Sequence, residues 1–423
     1  MRLARAVHAL EPVGLWLPVS GEPTGAAIAR AKPGRRGARG RVVQWVVVVA
    51  AAIVALAVGF VAAPRPYEPL PPGTPSPEIR ADWATKSYTI GFLASDPAID
   101  GGSVYAYGQK VSNGQNLMTV ATRIYAFDAS TGHIRWTLSQ PVFNGLSPSP
   151  SIAVAGGNVY AFGTNGIYAL SGMTGRTLWV HKNDDIASDL VASGTAVYVV
   201  GNNGNVYALN TADGATLWVR HLSNLGGSFP QLAFADHTVY ATDGQGTLYA
   251  LDATNGLTRW TVVVFPPSSI AARYTSTSPI VSGNTIYIGG NKLYALDAAN
   301  GRIRWAYPTG DVVSGPVIGH GTVYSGTQNE LYAIGSSTGK LRWTYPIAGA
   351  GRLYGVGYMT FDNGIVYVEG TDGAQYAIRA SNGLLLWGYY SSSSPAVGPD
   401  VVVNSTVYVG SSNSVLGFAA APP

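Results

Sequence analysis

The sequence predicts an all-β protein: an eight-bladed β-propeller of four-stranded antiparallel blades, preceded by one transmembrane α-helix. Three observations predict it. A short sentence of sequence recurs seven times, its closing Trp residues 38 to 45 residues apart, the spacing of a blade array. An apolar run at 42–63 stands between a basic tail and a Pro-rich stretch. Trp83, just after the Pro-rich stretch, has no sentence of its own, and one unit at the C-terminal end lacks its Trp.

The sentence is clearest at 293–305. It reads apolar-Tyr-Ala-apolar, then four turn residues, Gly, three residues and Trp. Tyr125, Tyr168, Tyr207, Tyr249, Tyr294, Tyr332 and Tyr376 open the copies; Trp136, Trp179, Trp218, Trp260, Trp305, Trp343 and Trp387 close them, always eleven residues later. A Gly stands seven after each Tyr, from Gly132 to Gly383. Ahead of each sentence come a short apolar run, often headed by Ser-Pro as at Ser278-Pro279, and a second alternating run such as Ile286-Tyr287-Ile288. Period-2 alternation broken by tight turns predicts four short strands per copy, a meander. Pro at the head of the first strand costs no ladder bond.

Each motif residue has a structural task. The Ala after Tyr leaves room for a neighbouring blade. The Gly supplies positive φ. Asp128, Asp252 and Asp297 open the last turn, where a carboxylate accepts backbone N–H bonds. The other copies carry Ser171, Asn210, Gly335 and Arg379 there, which argues against a shared catalytic or metal role. The Trp is too large for one meander to bury and is expected to dock on the next blade, a burial worth about 2–3 kcal/mol. Trp83 belongs to the same docking set. Residues 79–83 are expected to supply the outer strand of the last unit, which ends at Val415-Leu416-Gly417-Phe418. That closes an eighth blade and protects its edge; the alternative is seven blades with a loose end.

The rest of the chain divides around this array. Residues 1–41 hold eight Lys/Arg and two Asp/Glu, and read as a disordered basic cytoplasmic tail. The other residues hold 18 basic and 20 acidic side chains, so the repeats have no excess charge for nucleic acid. Residues 42–63 carry Gln44 as their only clearly polar side chain and are long enough to span a bilayer. Lys/Arg beside them predict a cytoplasmic N-terminus. A cleaved signal peptide competes, but its apolar region is shorter and Pro64 would hinder cleavage. Residues 64–78 carry seven prolines and read as a polyproline spacer. The propeller, 79–423, is thus expected outside the cell membrane on a single-pass anchor.

On these residues the repeat resembles the quinoprotein-type propeller repeat, named for pyrroloquinoline quinone (PQQ) alcohol dehydrogenases. It is similar to the propeller lipoprotein of the outer-membrane β-barrel assembly machinery and to some bacterial extracellular sensor domains. The resemblance implies the fold over 79–423. For the enzyme branch it implies a vicinal Cys pair over the quinone, a Ca²⁺ held by acidic and amide groups, and an Asp base. The chain has no Cys. No zinc spacing joins its six His, and no Gly-x-Ser-x-Gly occurs. The expectation is a non-catalytic binding or scaffold module with no PQQ, no supported Ca²⁺ site and no resident metal. It would serve envelope proteins or a surface ligand. An oxidoreductase and a sensor domain are the alternatives.

Function on a propeller tends to sit in loops between repeats. The longest connections, 260–279 and 343–357, bring Arg273 with Tyr274 and Arg352 with Tyr354. Asp184 and Asp185, with Asp189, form an acidic loop after Trp179. Residues 108–123 read as an irregular loop in the first blade. Arg273, Tyr274, Arg352, Tyr354, Asp184 and Asp185 are the candidate partner face, since Arg and Tyr suit a peptide, glycan or carboxylate.

Overall fold

The computed structural model describes residues 81–84, 91–93, 98–113, 118–138, 151–163, 166–183, 186–201, 203–222, 231–243, 246–264, 278–310, 314–347, 356–370, 374–389, 401–403, 406–410 and 415–419. The chain divides into two units, Met1–Pro66 and Tyr67–Pro423, and every described residue belongs to the second. The expected transmembrane helix at 42–63, the tail and the spacer lie outside the described residues. Among the described residues no helix is long and apolar enough to cross a membrane.

The second unit is an all-β propeller of four-stranded antiparallel sheets. Seven blades are each built from one continuous stretch of chain. In the fifth, Ile280–Ser282 pairs with Thr285–Gly289, then Leu293–Asp297, then Ile303–Tyr307. The remaining sheet is composite: Val401–Val403, Thr406–Gly410 and Val415–Ala419, with Ala81–Ala84 on its outside. The register there is Ala81 opposite Phe418, Trp83 opposite Gly417 and Ala84 opposite Leu416.

The innermost strands neighbour one another in chain order. Ala98–Asp100 meets Ile152–Ala155, followed by Ile186–Ala192, Leu232–Ala235, Ile280–Ser282, Val317–Gly319, Val356–Asp362 and Val401–Val403. The apolar core lies between blades rather than inside them. Each hydrophobic cluster joins two successive blades, as Tyr240, Leu248 and Ala250 of the fourth do with Ile286, Ile288 and Leu296 of the fifth. A twisted four-stranded sheet has two faces to cover, and a neighbour on each side covers both.

The first blade corrects the sequence reading. Residues 108–123 are no irregular loop: Ser103–Asn113 and Met118–Asp128 run paired without a break from Ser103 opposite Asp128 to Asn113 opposite Met118. This hairpin continues about five pairs beyond Gly108, where other blades turn. Gly91–Leu93 joins as a fifth strand beside Ala98–Asp100, both pairing with Ser103–Asn113.

The joint between third and fourth strands has one recurring irregularity. In the fifth blade Ala295 is opposite Trp305 and Leu296 opposite Ile303, so Arg304 is an extra residue in the ladder. Arg135, Leu217, Arg259 and Arg342 are bulged in the same way. A bulge sharpens the local twist, and here it re-aims the outer strand just where its Trp must reach across to the next blade.

Candidate functional site

Six Trp residues make the same contact. Trp136, Trp179, Trp218, Trp260, Trp305 and Trp343 each donate the indole N–H to a carbonyl in the last turn of the next blade, at Gly172, Thr211, Ala253, Ala298, Ser336 and Ala380, over 2.8–3.1 Å. Tyr105, Tyr198, Tyr240, Tyr287 and Tyr324 send their hydroxyls to five of these carbonyls. The Tyr and Trp rings of a blade lie 5.7–6.2 Å apart, within aromatic contact. Trp387 is buried. Trp83 is placed here only by its backbone pairing.

The turn Gly is required twice over. Gly301 has φ 71°, and a Cβ added there would lie 2.7 Å from the ring of Trp260. Gly175, Gly214, Gly256, Gly339 and Gly383 repeat both features. The Ala after each Tyr is fully buried in all seven copies. Asp128, Asp252 and Asp297 accept turn N–H groups at 2.9 Å and pair with Arg135, Arg259 and Arg304 at 2.6–2.7 Å. The Ser130 hydroxyl, then Arg135, holds Asp128 well below the usual carboxylate range. Arg259 and Arg304 are the leading causes of the downward shifts at Asp252 and Asp297. Each Arg also donates to a second-strand hydroxyl: Ser103, Thr238 or Thr285. The sequence reading missed this partner, although Asp and Arg seven residues apart occur together in these three copies.

Arg273, Tyr274, Arg352, Tyr354, Asp184 and Asp185 lie outside the described residues. Their segments join an outer strand to the next inner strand.

Asp189 does not belong to a surface loop, as the acidic trio suggested. It sits in the inner strand Ile186–Ala192 of the third blade. One carboxylate oxygen accepts the Leu190 N–H and the other the Leu232 N–H of the fourth blade, both at 2.8 Å. The Ser151 hydroxyl, from the head of the second blade, also bonds the carboxylate and accepts the Leu190 N–H at 2.9 Å. Burial pushes Asp189 up to about 6, against the lowering effect of these donors. One blade on, Gln231 takes the Ser278 hydroxyl of the fifth blade at 2.5 Å. Ser151, Asp189, Gln231 and Ser278 occupy the same place in their blades, two residues before the partner of the second-strand Tyr. Aligning the copies on that Tyr would have revealed this polar arc.

Among the described residues the side chains do not fit a PQQ–calcium pair. The chain has no Cys, and both oxygens of Asp189 are taken by backbone donors. Among the described residues no group of three or more His, Asp or Glu stands close enough to hold a metal ion.

The class is therefore a propeller of docked blades, in which the recurring aromatic residues and glycines join one blade to the next. The chain belongs to the family described as outer membrane protein assembly factor BamB, whose model matches residues 82–183, 163–312 and 308–421. No curated protein sequence matches it. Its fold is similar to that of BamB from Moraxella catarrhalis, at 18% identity and TM-score 0.60, over 80% of this chain and 100% of that one. It is similar to the quinohemoprotein alcohol dehydrogenase ADHIIG of Pseudomonas putida, at 14% identity and TM-score 0.61, over 81% of this chain and 76% of that one. The computationally designed Ika8 protein is similar at 15% identity and TM-score 0.61, over 79% of this chain and 98% of that one.

Proposed function

We propose that this protein is a membrane-anchored, extracytoplasmic propeller that binds or scaffolds envelope proteins, without catalysis of its own. One observation carries the reading: the residues the repeat offers for chemistry are engaged in structural contacts, the Trp and Tyr with the next blade and the turn carboxylate and Arg within their own. The Trp N–H, the Tyr hydroxyl, the turn carboxylate and its Arg all have structural partners. What remains for recognition is the face where the blades connect. Membership of the BamB family supports a protein partner.

The anchor is residues 42–63, with the tail inside and the propeller outside. N-terminal sequencing of the mature protein tests this, and a start near Pro64 overturns it. We infer too that the composite sheet completes a ring of eight blades, supported by the pairing of Ala81–Ala84 with Val415–Ala419 and by the chain-order succession of inner strands.

The partner face is tested by capture from envelope extract with the full chain beside an Arg273→Ala/Arg352→Ala variant. A specific protein retained by the first and lost by the second is the expected result; identical capture removes these residues from the face. The likeness to a quinohemoprotein alcohol dehydrogenase makes an oxidoreductase the second reading. Titrating the full chain with PQQ and Ca²⁺ decides it: a bound-quinone absorption spectrum would overturn the non-catalytic reading.

A further inference from the structure

We propose that Asp189 is a proton-operated clasp joining the inner strands of the second, third and fourth blades. Among the described residues of these three inner strands, its carboxylate is the one side chain that bonds both neighbours at once: Ser151 on one side and Leu232 on the other. The strands packed against Ile186–Ala192 are Ile152–Ala155, Asn158–Gly163, Gly166–Ser171, Ala196–Gly201 and Leu232–Ala235. They bring Tyr160, Tyr168 and Tyr198, and no Lys, Arg, His, Asp or Glu. Among the described residues of these strands the negative charge has no counter-ion, and hydrogen-bond donors hold it.

The donors favour the anion, while burial favours the neutral acid and outweighs them. Leu190 and Leu232 each present an N–H. The Ser151 oxygen already accepts one of these N–H groups while its own hydroxyl bonds the carboxylate. A proton added to either carboxylate oxygen removes the charge that strengthens all three of these bonds. Protonation loses at least one charge-assisted hydrogen bond, and the bond to Leu232 is the one that crosses to the fourth blade.

The sign of the linkage separates this clasp from the turn carboxylates. Asp189 is raised from 3.8 to about 6, so the folded chain binds this proton more tightly than the unfolded chain does. Its contribution to stability is fully present below about 4 and is lost as pH rises through about 6. Mild acid thus opens a hydrogen bond at the hub without unfolding the ring.

Amide hydrogen exchange of the full chain at about pH 7.5 and about pH 5, corrected for the intrinsic pH dependence of exchange, tests the proposal. Protection of the Leu190 and Leu232 amides is expected to fall about tenfold in acid, the equilibrium effect of one hydrogen bond to a charged group. Ala241, in the fourth-blade ladder, should not change. Asp189→Asn, a neutral mimic, should show the acid pattern at both pH values. Ser151→Ala removes one donor and should move the step to higher pH, which keeps the test available if the Asn variant does not fold. Equal protection of Leu190 and Leu232 at both pH values, or a pH step that survives in Asp189→Asn, would overturn the clasp.

Discussion

At the scale of the residue, the turn glycines show how two constraints meet in one position. Gly301 and Gly283 both have positive φ, at 71° and 53°. Only Gly301 lies under a Trp, whereas a Cβ on Gly283 would meet nothing within 4 Å. Gly283→Ala should therefore cost only the left-handed backbone penalty, about 1 kcal/mol. Gly301→Ala adds overpacking against Trp260, for a total of roughly 3 kcal/mol. Chemical denaturation of the two variants, followed by Trp fluorescence, separates the terms. Equal losses would mean that the Trp contact contributes nothing. The positive φ was legible from the recurrence of Gly after four turn residues. The Trp lying over it was not, because the sequence does not state which blade a turn faces.

At the scale of the element, the last turn is held by its carboxylate and by the Arg on the bulged position of the outer strand. Asp297 accepts the Ala299 N–H and pairs with Arg304, which in turn donates to Thr285 on the second strand. The pair is partly exposed, so salt should weaken it. Its carboxylate is shifted below 3.8, so its contribution is present above that value and is lost as pH falls through the depressed value. Arg304→Ala is expected to lower the denaturation midpoint modestly at neutral pH. The gap from the unaltered chain should narrow in strong acid and in high salt. A gap independent of both would show that the Arg acts by packing alone. The four-strand plan of each blade was readable because its strands alternate and its turns carry Gly, Asn and Asp. The long first-blade hairpin was not: Gly108-Gln109-Lys110 interrupts the apolar alternation, and pairing with Thr122 and Ala121 maintains the strand instead. Asp189 was hidden for a related reason. Beside Asp184 and Asp185 it reads as part of an acidic loop, while its true setting depends on Ser151 and Leu232, each about 40 residues away in sequence.

At the scale of the whole molecule, the question is what keeps the first and last parts of a blade array together. Each blade covers its neighbour, so a gap between the ends would leave two apolar faces wet. The composite sheet addresses this by pairing Ala81–Ala84 with Val415–Ala419, an N-terminal strand outside a C-terminal one. The chain contains no Cys, so a single engineered pair can report on that joint without competing thiols. Ala81 and Phe418 are directly opposite in the register, within the Cα separation a disulfide accepts. Ala81→Cys/Phe418→Cys should oxidise readily in the folded chain and not in denaturant. Because the closed loop takes in nearly the whole propeller, the bond should raise stability by up to about 6 kcal/mol in the chain-entropy account. Deleting 79–84 should act in the opposite sense: the lost ladder of a few hydrogen bonds costs about 2–3 kcal/mol, and Val415–Ala419 becomes an open edge prone to self-association. A folded double variant whose thiols stay free under oxidation, together with a deletion that leaves the denaturation midpoint in place, would mean that these ends do not hold the propeller together.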